Sequence, residues 1–160
     1  MGNTFGAGDD DLYLSNSGTA VFVEVLTLAV SALAERDWDH RFAGLPALQD
    51  QSAMGRGAVG FDLGELDWGG SGAARAAAKG FVLRVLDLAA QRHRWDELGC
   101  EPPHAVDHLT RFREIVEAFE PPASAPDPDL LPQTGAMACC VPHRVLSALP
   151  HWEGCLFCHR

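Results

Sequence analysis

Apolar positions recur at helical spacing in four stretches of the chain. Phe22, Leu26, Ala29, Val30 and Leu33 lie three or four apart after the turn- and cap-forming run Ser15-Asn16-Ser17-Gly18-Thr19, which predicts a helix from about Ser15 to Ala34. Val21, Val23 and Val25 would also suit a buried strand, and the length of the apolar stretch decides for helix. Trp38, Phe42, Leu45 and Leu48 continue a helical face across Pro46, which is expected near the first turn of a short second helix ending by Gly55. Ser71 is the natural N-cap of a third helix with Ala74, Ala78, Phe81, Val85, Leu88 and Ala89 as its apolar stripe and Arg75, Lys79, Arg84, Asp87 and Gln91 facing away. It should run to about Arg94, with Trp95 and Leu98 packing its end, Gly99 stopping it and Cys100 a buried apolar residue. Pro102-Pro103 opens the last helix, whose stripe is Ala105, Leu109, Phe112, Val116 and Phe119.

Outside these helices the pattern is weaker. Val59 to Leu63 alternates and predicts a brief strand, with Leu66 and Trp68 as anchors. Met1 to Asp11 is rich in glycine and then acidic, and reads as a mobile arm; its Asp9-Asp10-Asp11 run lacks the spacing of a calcium loop. Five of the twelve residues from Pro121 to Pro132 are proline, the composition of an extended, semi-rigid strap. The predicted architecture is therefore mainly α: a helical domain of about four helices over residues 12–120, a linker over 121–134 and a Cys/His tail over 135–160.

The tail carries most of the readable chemistry. Four of the five cysteines and three of the seven histidines fall between Met137 and Arg160. Cys140-Val141-Pro142-His143 is a C-x2-H pair, Cys155-Leu156-Phe157-Cys158 is a C-x2-C pair, and eleven residues separate them. Two residues between paired ligands let a tight turn aim both donors at one ion, and the spacer can form a hairpin that brings the second pair opposite. The expected ligands are Cys140, His143, Cys155 and Cys158 around one structural zinc, and Arg144 and Arg160 are placed to offset its charge. Spacing alone lets Cys139 stand in for Cys140, or His151 or His159 for His143. Zinc knuckles often carry glycine just after the second ligand, where this chain has Arg144 and His159.

Other motifs compete less well. Cys155-Leu156-Phe157-Cys158-His159 also spells the C-x-x-C-H of covalent haem attachment, which takes place outside the cytoplasm. The opening Met1-Gly2-Asn3-Thr4-Phe5-Gly6 has neither the charged nor the apolar region of a signal peptide. Gly55-Arg56-Gly57-Ala58-Val59-Gly60 spells G-x-G-x-x-G without the strand before it and helix after it that a dinucleotide site needs. His104 and His108 sit four apart on the last helix beside Asp107, able to grip a metal if a third ligand joins them, but Ala105 stands where a metalloprotease has its glutamate. Ser71 lacks a nucleophile elbow because residue 73 is alanine.

Charge then narrows the class. The chain carries 22 acids against 12 bases, a formal charge of −10, with Lys79 its only lysine. Phosphate backbones repel such a surface, which argues against nucleic acid, and the apolar run Ala20–Ala34, interrupted by Glu24, argues against a membrane span. An odd cysteine count with metal-like spacing suits a reducing cytoplasm, and arginine over lysine suits a GC-rich bacterial genome. Two function classes stay open. One is a non-enzymatic module that binds a basic protein partner, as an inhibitor, immunity protein or adaptor does, with zinc folding the tail. The other is a metalloenzyme built on His104, His108 and a carboxylate such as Asp107.

Overall fold

The computed structural model describes residues 3–48, 60–99, 101–123, 138–147, 155, 157 and 158. Helix α1 (Asn16–Leu33) forms the centre, and α2 (Asp37–Leu48), α3 (Gly72–Ala90) and α4 (Ala105–Ala118) pack around it. Its start follows the cap expected from sequence, since the Ser15 hydroxyl accepts the Gly18 N–H at 3.1 Å. Ser71 caps α3 in the same way through the N–H of Ala74. Helix α1 does reach the length and apolarity of a membrane span, contrary to the expectation that the run Ala20–Ala34, interrupted by Glu24, falls short of one. Here its apolar residues serve the core: Phe22, Val25, Leu26, Leu28, Ala29 and Val30 are all buried.

Two expectations about the helices need correcting. Helix α2 begins at Asp37, so Pro46 lies near its end and not in its first turn. The reason is Asp39, whose carboxylate accepts the backbone N–H groups of Glu35 and Arg36 and starts the helix early. Helix α3 stops at Ala90 and not at Arg94, and the chain turns there through two left-handed residues, Arg92 (φ 64°) and Arg94 (φ 61°). Arg92 follows the C-cap Gln91 at the position where helices commonly end in a left-handed residue, and its N–H donates to the Ala89 carbonyl at 3.0 Å.

The opening residues are not an arm. Strands β1 (Asn3–Ala7) and β2 (Asp10–Leu14) form an antiparallel hairpin turned at Gly8 (φ +64°), and β3 (Gly60–Asp62) pairs parallel to β1. The cause is alternation. Phe5, Leu12 and Leu14 point into the core while Thr4, Asp11 and Tyr13 face water. Gly60 is required where β3 meets β1, because a Cβ there would stand 1.8 Å from the Thr4 carbonyl oxygen. Phe5 then joins Phe22, Phe61 and Phe112 in edge and tilted ring contacts, and Trp38, Phe42, Trp68 and Phe81 extend the cluster. Both indoles are satisfied, Trp38 by the Asp67 carbonyl and Trp68 by that of Leu63.

A second, two-stranded hairpin, β4 (Ala138–Cys140) and β5 (Val145–Ser147), lies against α1 and α2. Val145 from this hairpin and Cys155 beyond it are counted in the same core as the helices, at 1 % and 4 % exposure. Burying one valine contributes roughly 1.5–3 kcal/mol, so the tail and the helical body stabilise each other. Of the predicted strap, residues 124–134 lie outside the described residues, as do Gly55 to Val59 of the glycine motif and Cys100.

Candidate metal centre

The hairpin is built around the first ligand pair, with the first residues of the spacer as its second strand; residues 148–154 of the spacer lie outside the described residues. Cys140 ends β4, Val141 to Arg144 make the turn, and the Arg144 N–H closes it on the Cys140 carbonyl at 2.6 Å. Arg144 takes the left-handed conformation (φ 55°) that glycine usually supplies at this place. The turn geometry of a knuckle is thus formed without its glycine. A second tight turn, at Phe157 and Cys158, is closed by the Cys158 N–H on the Cys155 carbonyl at 3.0 Å.

The two turns bring four donor atoms together. Nδ1 of His143 lies 3.4 Å from the sulfur of Cys140, 3.3 Å from that of Cys155 and 3.6 Å from that of Cys158. The Cys158 sulfur is 3.8 Å from both Cys140 and Cys155. All four donors lie within 4.8 Å of one another, close enough to hold one metal ion. Sulfurs 3.8 Å apart are in contact but unbonded, far from the roughly 2.05 Å of a disulfide. Nδ1 is the ring nitrogen that faces the sulfurs, and an ion held there would leave the proton of a neutral His143 on Nε2.

Burial differs across the set. Cys155 is buried, and burial pushes its thiol up to about 11, partly offset by the N–H of Phe157. Cys158 is exposed and its thiol is held below the ordinary value, chiefly by backbone hydrogen bonding at Cys155. Cys139, the neighbour that spacing could not distinguish from Cys140, is exposed and stands outside the cluster. Strand alternation explains this, since adjacent residues of β4 face opposite sides. His151, His159 and Arg160 lie outside the described residues.

The cation beside the site is Arg94, a residue that sequence spacing does not point to. Its guanidinium donates to the carbonyl oxygens of His143 (2.7 Å) and Arg144 (3.3 Å) and lies 5.3 Å over the ring of Phe157. Glu97 holds the other side of the fork at 2.9 Å. One side chain from the helical body therefore touches both knuckles. A second link is the Leu146 N–H, which donates to the Ser31 hydroxyl of α1 at 3.0 Å. Arg94 and Arg144, two of the four left-handed residues other than glycine among the described residues, meet at this junction of body and tail.

The alternative histidine pair is placed differently. His104 is 78 % exposed at the start of α4, its ring 6.4 Å from that of His108, and Asp107 is exposed beside it. Burial lowers the pKa of His108, and the charge of His104 adds to this. Among the described residues, the Cys140, His143, Cys155 and Cys158 group is the one set of three or more such donors able to share an ion. No family model, curated protein or solved structure matches this chain.

Proposed function

We propose that the chain is a zinc-binding protein whose metal is structural, folding the C-terminal hairpin and fastening it to an acidic helical body that serves as a protein-interaction module. The observation that carries the metal is the set of distances. A tetrahedral zinc with Zn–S of about 2.3 Å and Zn–N of about 2.0–2.1 Å requires S···S of about 3.8 Å and S···N of about 3.6 Å. The cluster has 3.8 Å and 3.3–3.6 Å. Thiolate donors disfavour calcium and magnesium, which take oxygen. Four protein donors leave no position for substrate, which favours a structural over a catalytic ion. Three thiolates, one imidazole and a dication carry about −1, which Arg94 is placed to offset.

The interaction role rests on the −10 charge and on the lack of a second donor cluster among the described residues. A basic protein partner would be drawn to such a field, and its association would slow as salt screens it. A zinc held by three thiolates would be favoured in a reducing compartment such as the cytoplasm. Elemental analysis of protein purified without chelator should find one zinc per chain, lost on Cys155→Ser. Affinity capture at low and high salt should return a basic protein retained only at low salt. The account fails for function if no partner binds and a turnover appears that the double variant His104→Ala/His108→Ala abolishes. It fails for metal if no stoichiometric ion is present, and a Soret band would replace zinc with haem.

A further inference from the structure

The three sulfurs of the cluster are not equally reachable. Cys155 is 4 % exposed and belongs to the core, Cys140 is half-buried at the end of β4, and Cys158 faces solvent at the second turn. A small oxidant diffusing to the centre therefore meets Cys158 first. The sulfurs of Cys140 and Cys155 both stand 3.8 Å from it, so an oxidised Cys158 has two partners within reach. A disulfide needs that distance to close by about 1.8 Å, a movement that side-chain rotation within a tight turn can supply.

We propose that Cys158 is an oxidation site at which a peroxide opens the metal centre, an inference that rests on the zinc reading above. The Cys158 thiolate attacks hydrogen peroxide, breaking the O–O bond to give a sulfenic acid and hydroxide. A second thiolate, from Cys140 or Cys155, displaces hydroxide from that sulfur to form the disulfide. Two thiolates have lost two electrons and one peroxide has gained them. The ion is left with one thiolate and one imidazole and dissociates. The His143 and Arg144 carbonyls that Arg94 grips belong to the same turn, so loss of the ion loosens the attachment of the hairpin to α1.

Cys139 is the competing thiol, exposed and next to a ligand but outside the cluster, and it supplies the control. The protein is first assayed for zinc untreated; absence of zinc at this stage defeats the zinc reading itself. With zinc present, peroxide is titrated while a chromogenic chelator reports release, and a non-reduced digest maps the bonds. Release of one zinc per peroxide consumed, with Cys158 bonded to Cys140 or Cys155 and reversal by thiol reductant plus zinc, supports the site. Cys139→Ser should release zinc at the unchanged rate. Cys158→His keeps a four-donor set and should slow release at least tenfold. Release at the original rate from zinc-loaded Cys158→His, or oxidation confined to Cys139 with zinc retained, overturns it. Should Cys158→His fail to hold zinc, alkylation mapping of the first cysteine oxidised in the unaltered chain decides, and any cysteine other than Cys158 overturns the proposal.

Discussion

The Arg94 guanidinium donates a 2.7 Å hydrogen bond to the backbone carbonyl of His143, joining the end of the helical body to the turn that holds the only imidazole of the donor cluster. The same group contacts the Arg144 carbonyl and the face of Phe157, so it positions both ligand turns without touching a donor atom. Partners of this kind typically change metal affinity 10- to 100-fold. Arg94→Ala should weaken zinc by about that factor in chelator competition. Arg94→Lys keeps the charge but loses the planar fork, and should recover only part of it. Unchanged affinity in both variants would show that the donors are positioned by their own turns alone.

Ser31 offers an independent test of docking. Its hydroxyl donates to the Thr27 carbonyl at 2.6 Å and accepts the Leu146 N–H at 3.0 Å. Ser31→Ala leaves that N–H without its partner, at about 1–2 kcal/mol. In the metal-loaded protein the melting temperature should fall by roughly 2–8 °C. After chelation the penalty should shrink, because a loosened hairpin no longer needs the contact. An equal penalty with and without metal would mean that the hairpin stays docked when the ion is gone.

How much of this was legible in the sequence follows from what sets each feature. The helices were readable because Phe22, Phe81 and Phe112 sit within stripes of period 3.6 and because Ser15 and Ser71 cap as local chemistry dictates. The donor cluster was readable because two-residue spacing is itself a geometric statement. The β1–β2 hairpin was missed because Gly6, Gly8 and three aspartates mask a period of two that only Phe5, Leu12 and Leu14 carry. Its pairing with β3 is set by a glycine some fifty residues away, which no local pattern reports. Arg94 was out of reach for the same reason: its role depends on a contact with residue 143, not on its neighbours.

Asp39 predicts a pH effect. Burial opposes its charge most strongly of any single influence, but the Arg36 guanidinium and the N–H groups of Arg36 and Glu35 together outweigh it and hold the carboxyl below its ordinary 3.8. A depressed carboxyl stabilises the fold above its unfolded value and loses that contribution as pH falls through the folded one. Asp39→Asn should therefore be less stable by about 1–3 kcal/mol at neutral pH. The gap should narrow below about pH 4. Chemical denaturation of both metal-free proteins from pH 7 to pH 2.5 measures it, and a gap that stays constant would contradict the assignment.

X-ray absorption at the zinc edge, on protein purified without added metal, reads the donor set of the ion directly. Three thiolates and one imidazole predict a four-coordinate shell with three sulfurs at about 2.3 Å and one nitrogen at about 2.0–2.1 Å. The Cys158→Ser variant should lose one sulfur from that shell or lose the ion. A shell with oxygen or nitrogen in more than one position, or no zinc at all, would contradict the account.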